Sequence, residues 1–351
     1  MLHETQAFGG KTVVVAGGAG FVGSHLCDAL LARGDRVICV DSYLTGFPAN
    51  VLPLHNHPAF TMIEQDICDE IAIDEKVDQI YNLACPASPP QYQADPIHTM
   101  MTSVSGTGNL LRLAERDGAS LLQASTSEVY GDPEVHPQRE DYWGHVNCTG
   151  PRACYDEGKR AAEALCFDSL RAGKVDARVV RIFNTYGPRM QPSDGRIVSN
   201  LIVQALRNEP LTIYGSGEQT RSFCYISDLL DGLTRLMNVQ PNPGVPVNVG
   251  NPGEFTVAEL ADLVQSMVPT RSTLIHMPLP ADDPQRRRPD ITRARQLLGW
   301  EPKIQLTEGL EHTIAWFRHI LSNHPPRRNI KRPRLDIARP ASVAPGASSW
   351  R

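Results

Sequence analysis

Short apolar runs alternate with longer amphipathic stretches through the first half of the chain. Val13–Ala16 is apolar throughout, and Arg36–Asp41, Thr61–Asp66, Gln79–Ala84, Ser120–Thr126 and Ala177–Phe183 are similarly short and largely apolar. Runs of this length suit strands buried on both faces. The first strand is predicted over Lys11–Ala16. Gly20–Arg33, Pro96–Asp117 and Cys154–Ala172 carry helical signals between the runs. Strand alternating with helix predicts an α/β chain with a doubly wound parallel sheet. After Asn184 the pattern breaks into loops, short strands and helices at Ser199–Asn208, Asp228–Val239 and Val257–Met267. That change predicts a smaller C-terminal lobe interleaved with the sheet. The expected division is 8–183 for the sheet domain, with some later segments returning to it. Residues 184–324 form mainly the substrate-binding lobe, and 325–351 a basic tail rich in Pro, Ala and Ser.

Composition adds exclusions. A chain of 351 residues with 21% charged residues and a net charge of -5 is an ordinary globule, with nothing that calls for nucleic acid or a membrane. No run is long and apolar enough to span a bilayer, and the N-terminus lacks a signal-peptide layout. The 8 cysteines are scattered without a CxxC pair, which predicts reduced thiols, a cytoplasmic setting and no metal site.

The first strand runs into GGAGFVGSHL. Gly17, Gly20 and Gly23, with Phe21 and Val22 between them, stand where a strand turns into a helix. A pyrophosphate there meets free N–H groups and the positive end of the helix dipole. Asp41 closes the second strand, where a carboxylate can take both ribose hydroxyls and repel a 2′-phosphate. The predicted fold is therefore Rossmann-like and the predicted cofactor NAD. Asp66 and Ile67, after the third strand, are expected to flank the adenine.

In CYDEGKR, Tyr155 and Lys159 are one helical turn apart and share a face. A free phenol, with a pKa of about 10, is a poor base at neutral pH. A neighbouring ammonium favours the phenolate, so Lys159 is expected to lower the Tyr155 pKa and to hold the nicotinamide ribose. Gly158 costs about 1 kcal/mol in a helix relative to Ala, which predicts close approach of another element or the cofactor. QASTSEVYG ends a strand at Thr126, whose hydroxyl can bridge substrate and Tyr155, with Ser127 and Glu128 following into the same crevice.

Together these residues resemble the extended short-chain dehydrogenase/reductase superfamily. The longer motifs ACPASPPQY, STSEVYGDPEVHPQ, YWGHVN, RIFNTYGPRM, DGRIVSN, YGSGEQTRSFCYISDL and DDPQRRRPDI resemble its UDP-glucuronate decarboxylases, over roughly residues 11–317. The resemblance implies C4 oxidation of UDP-glucuronate with Tyr155 as base, loss of CO2 from the 4-keto acid and re-reduction to UDP-xylose, without a metal. It implies catalytic roles for Thr126, Glu128, Tyr155 and Lys159. It also implies substrate contacts from Tyr92, Ser127, Asn184, Gln204, Tyr214, Arg221 and Arg287, and a homodimer joined by a four-helix interface. Other UDP-sugar enzymes stand as alternatives: a 4-epimerase, a dTDP-glucose 4,6-dehydratase and a UDP-apiose/xylose synthase. A dehydratase usually carries Asp between the Thr and the Glu, where this chain has Ser127. A non-catalytic NAD-sensing scaffold is a more distant reading.

The chain departs from the family pattern in two places. The loop before the catalytic helix reads VNCTGPRA, with Cys148, Thr149 and Ala153 substituted. The stretch after Asp41 has Ser42 and Phe47 where Asn and Arg are usual. Loss of that arginine predicts weaker cofactor retention and some release of UDP-4-keto-xylose.

Overall fold

Alternate residues of the central strands feed different cores. Val13, Val15, Cys39 and Tyr81 pack on one face of the sheet with Leu26, Leu30, Leu229 and Leu233. Val14, Ala16, Ile38, Val40 and Ile80 pack on the other face with Leu110, Leu113, Ala114 and Cys166. This is the arrangement that unbroken apolar strands demand, with helices covering both faces. The computed structural model describes residues 10–280 and 282–323. The basic tail predicted from residue 325 lies outside them.

The sheet contains β1 (Thr12–Ala16), β2 (Arg36–Asp41), β3 (Phe60–Glu64), β4 (Gln79–Asn82), β5 (Ser120–Thr126), β6 (Asp176–Ile182) and the strand Val247–Val249. From one edge to the other the order is Val247–Val249, β6, β5, β4, β1, β2, β3, and every pairing is parallel. Strand order reverses between β1 and β4, and a doubly wound sheet opens a ligand crevice beyond such a reversal. Val247–Val249 returns to the sheet after the chain has built much of its second lobe. That lobe has its own apolar core, which includes Leu201, Ile202, Leu260, Leu310 and Phe317.

Pro96–Asp117, predicted as one helix, contains a π turn over Thr102–Gly106 between Pro96–Met101 and Thr107–Asp117. This turn packs on the helix Ala153–Arg171, which carries Tyr155 and Lys159. A Cβ on Gly158 would stand 3.1 Å from Ser103 Cβ. Close approach of these two elements is therefore the reason for a glycine inside the helix.

Candidate active site

The loop after β1 packs its backbone closely against neighbouring backbone. Gly17 has a φ of +76°, and a Cβ there would lie 2.8 Å from the backbone of Ala84. At Gly23 a Cβ would lie 2.1 Å from the Gly17 carbonyl oxygen. The helix Phe21–Ala32 begins with no side-chain cap and no acidic residue in its first turn, so no carboxylate competes for its N-terminal dipole. Gly17, Gly20, Phe21, Val22, Gly23, Asp41, Asp66 and Ile67 all line one cavity.

Asp41 is buried. Its carboxylate accepts from Ala19 N at 2.9 Å and Tyr43 N at 2.8 Å, tying β2 to the glycine loop. Burial raises its pKa, against those backbone N–H groups. Asp66 takes Cys68 N at 2.8 Å and His98 Nε2 at 2.7 Å. Burial pushes the Asp66 carboxyl up, and these partners together bring it below its ordinary value.

A second cavity adjoins the first, sharing Val22, Leu83, Cys85, Ala87 and Arg196 with it. It brings together Tyr92, Thr126, Ser127, Glu128, Tyr155, Lys159, Asn184, Tyr214, Arg221 and Arg287. Thr126 is the last residue of β5, and its Oγ1 accepts from Glu128 N at 3.3 Å, which turns the chain into the crevice. Tyr92 stacks on Tyr155 with ring centroids 5.0 Å apart and planes within 5°. Gln204 stands apart from this wall. Its Nε2 donates to Thr212 Oγ1 at 3.0 Å and its Oε1 accepts from Thr212 N at 3.0 Å, so both ends of the amide brace the lobe.

Lys159 departs from one expectation. Its Nζ donates to the Ala124 carbonyl at 3.0 Å and lies 5.8 Å from the Tyr155 ring centroid. Burial drives the Tyr155 pKa well above its ordinary value, and the charges of Cys85 and Glu128 add to that. The Thr126 hydroxyl and the Arg196 guanidinium oppose it. Arg196 is thus a cation near Tyr155 that favours the phenolate, beside Lys159, which was expected in that role and is anchored on Ala124. Arg196 stacks over Phe21 at 5.9 Å and pairs with Asp194 at 2.5 Å. DGRIVSN was legible as a motif, but no spacing rule pointed to its arginine.

Glu128 is gripped from two sides. Its Oε2 accepts from Arg152 Nη2 at 2.6 Å, and Oε1 takes Arg287 Nη1. Burial opposes ionisation, yet the two guanidinium charges and their hydrogen bonds hold the carboxyl down at about 2. Glu128 is therefore a carboxylate at every working pH.

The NAD dependent epimerase/dehydratase family model matches residues 13–250. The chain belongs to this family. UDP-glucuronic acid decarboxylase 1 of Danio rerio is 54% identical, over 92% of this chain and 77% of that protein. UDP-glucuronic acid decarboxylase 4 of Arabidopsis thaliana is 56% identical, over 87% of this chain and 68% of its own length. A solved UDP-glucose 4-epimerase from Thermotoga maritima, with UDP-glucose, is 29% identical at a TM-score of 0.81, covering 88% of this chain and 99% of that one.

Two residues of this epimerase/dehydratase family member escaped the sequence reading. Arg152, at the N-cap of the helix Ala153–Arg171, looked like part of a loop, and its role depends on Glu128, which is distant in sequence. Asp156 is 6% exposed, and its Oδ1 has no partner. Burial, then the charge of Glu128, raises the Asp156 carboxyl to about 7. Its folded pKa lies above the unfolded one. Its neutral form is therefore favoured by folding, and stability is lost as pH rises from about 4 through about 7. Asp156→Asn is expected to be more stable than the parent at pH 8 by about 1–3 kcal/mol, with the gap closing below pH 4. Urea unfolding at the two pH values measures this, and a constant gap would contradict the assignment.

Proposed function

We propose that the protein is an NAD-dependent UDP-glucuronate decarboxylase that makes UDP-xylose. The observation that carries this reading is the Thr126–Ser127–Glu128 turn facing Tyr155 in an arginine-lined cavity. Ser127 supplies no acid to protonate a departing hydroxyl, which suits decarboxylation over dehydration. The names of the similar proteins support the same choice.

The Gly17–Gly23 loop, the uncapped helix start and Asp41 fit a dinucleotide, whose nicotinamide supplies a hydride acceptor and later a donor. Tyr155, ionised once positive charge in the filled site offsets the burial that raises its pKa, accepts the proton of the C4 hydroxyl as hydride leaves C4. The resulting ketone is β to the C6 carboxylate. Breaking the C5–C6 bond releases CO2 and places the electron pair on the C4 oxygen. Tyr155 and Thr126 stabilise that oxyanion by hydrogen bonding. C5 then takes a proton from water, which re-forms the C4 ketone, and hydride returns to C4 with the Tyr155 proton going to O4. Arg221 and Arg287 face the anionic parts of the substrate, while Asn184 and Tyr214 line the same cavity.

Incubation with UDP-glucuronate, with and without added NAD+, tests the reading by NMR of the sugar nucleotides. UDP-xylose with CO2 is the expected product. Unchanged UDP-glucuronate would refute it. Phe47, 50% exposed, stands where an arginine is usual, so NADH and UDP-4-keto-xylose are looked for in the same samples.

We also infer a homodimer in which the helical run from Pro96 to Asp117 and the helix Ala153–Arg171 form a four-helix interface with a second copy. Ile97 and Met101, one turn apart, are 78% and 44% exposed and give that surface an apolar start. Light scattering is expected to give twice the 38.6 kDa chain mass. A monomer at micromolar concentration would exclude it. Among the described residues no helix is long and apolar enough to cross a membrane. All eight cysteines are free, which fits a reducing, cytoplasmic setting.

A further inference from the structure

Inside the substrate cavity one carboxylate bridges two guanidinium groups. Asp283 Oδ2 accepts from Arg221 Nη2 at 2.8 Å, and Oδ1 from Arg152 Nη1 at 3.4 Å. All three residues line the cavity, and both arginines are 8% exposed. Arg152 is also held by Glu128, which pairs in turn with Arg287. Three guanidinium groups against two carboxylates leave a single positive charge. The cavity's other cations, Lys159 and Arg196, are engaged by the Ala124 carbonyl and by Asp194, and a nucleotide diphosphate joined to an acidic sugar carries about three negative charges at neutral pH, so this arginine cluster by itself is undercharged for its ligand.

The two carboxylates are held differently. Both carboxylates meet two arginines, but the contact of Asp283 with Arg152 is long, at 3.4 Å, and its side chain is 24% exposed against 16% for Glu128. The preceding residue, Asp282, has a φ of +59° and reaches Asn147 Nδ2 at 3.1 and 3.2 Å. A non-glycine residue in the left-handed region is strained, so this segment's position depends on such side-chain bonds.

We propose that Asp283 is a built-in competitor anion: it occupies Arg221 and Arg152 in the empty cavity, and an anionic group of the nucleotide sugar takes its place. The proposal rests on the nucleotide-sugar reading given above. Asp283 acts through the arginines as a positioning residue. It keeps two buried cations paired and orients them, and it sets a threshold that favours ligands of high negative charge. Displacing it exchanges one charge-assisted contact for another, which lowers affinity relative to a site without the competitor.

Calorimetry with UDP and with uridine, on the full chain, reads this directly. Asp283→Asn is expected to bind UDP about tenfold more tightly, the size of one charged hydrogen bond no longer exchanged. Uridine affinity is expected to stay constant, because uridine brings no anion. The ligand-free variant should melt lower than the parent and gain more on adding UDP. Asp283→Glu keeps the charge and should remain near the parent. Asn147→Ala, which loosens the segment without touching either arginine, should shift UDP affinity in the same direction as Asp283→Asn, and serves if the latter fails to fold. Unchanged or weaker UDP binding in a folded variant would overturn the proposal, as would equal shifts for UDP and uridine. Failure of the parent itself to bind UDP would overturn the nucleotide-sugar reading as well; a parent that binds UDP and decarboxylates UDP-glucuronate, with no tightening in the variants, would overturn the competitor alone.

Discussion

Tyr155→Phe is expected to reduce UDP-glucuronate decarboxylation by about 10³-fold or more, the upper part of the range for a lost general base. The substitution removes one oxygen and keeps the ring, so the stack with Tyr92 at 5.0 Å survives. NAD binding should survive too, because the glycine loop and Asp41 lie in the adjoining cavity. The loss should fall on the first chemical step. In a single turnover the parent forms NADH transiently, and the variant forms none. NADH appearing at the parent rate, with CO2 release alone impaired, would instead place Tyr155 in decarboxylation and assign C4 deprotonation to another group. Arg196→Lys separates the electrostatic contribution, since it retains a cation while altering the one that opposes the raised Tyr155 pKa.

Much of the frame was legible because local rules decided it. Ser120–Thr126 and Val257–Met267 begin and end in the structure where the apolar pattern places them. Apolar runs with glycine punctuation specify such elements without help from distant residues. The strand Val247–Val249 was harder to see. It is only three residues long, and its membership in the sheet comes from pairing with Val180–Ile182, a long-range contact with no local signature. The π turn over Thr102–Gly106 likewise reflects packing against Gly158.

The site divides along the same line. Residues within a motif, such as Tyr155 with Lys159, were readable from helical spacing. The charges that tune them were not. Arg152 reaches Glu128 across 24 positions and Asp283 across 131 positions. Gln204 illustrates the converse. Its amide is directed to Thr212 by a lobe geometry that the sequence pattern did not reveal.

Glu128→Gln is the sharpest test of that charge network. The two arginines hold the Glu128 carboxyl at about 2, below its unfolded value near 4.5. A depressed carboxylate contributes stability that is fully present above the unfolded pKa. That contribution is lost as pH falls through 4.5 toward 2. The variant is therefore expected to be about 3 kcal/mol less stable than the parent at pH 7, with the difference shrinking toward zero near pH 2. Leaving Arg152 and Arg287, at 9% and 2% side-chain exposure, short of a counter-charge has the same sign and a similar size. Turnover should fall about 10²-fold, because both guanidinium groups lose the anchor that aims them into the cavity. The parent's activity between pH 5 and 9 should show no ionisation attributable to Glu128. A parent profile with an acid limb near pH 6 that disappears in Glu128→Gln would make the residue a proton carrier; stability curves that stay parallel down to pH 2 would remove the arginine clamp as the origin of its charge.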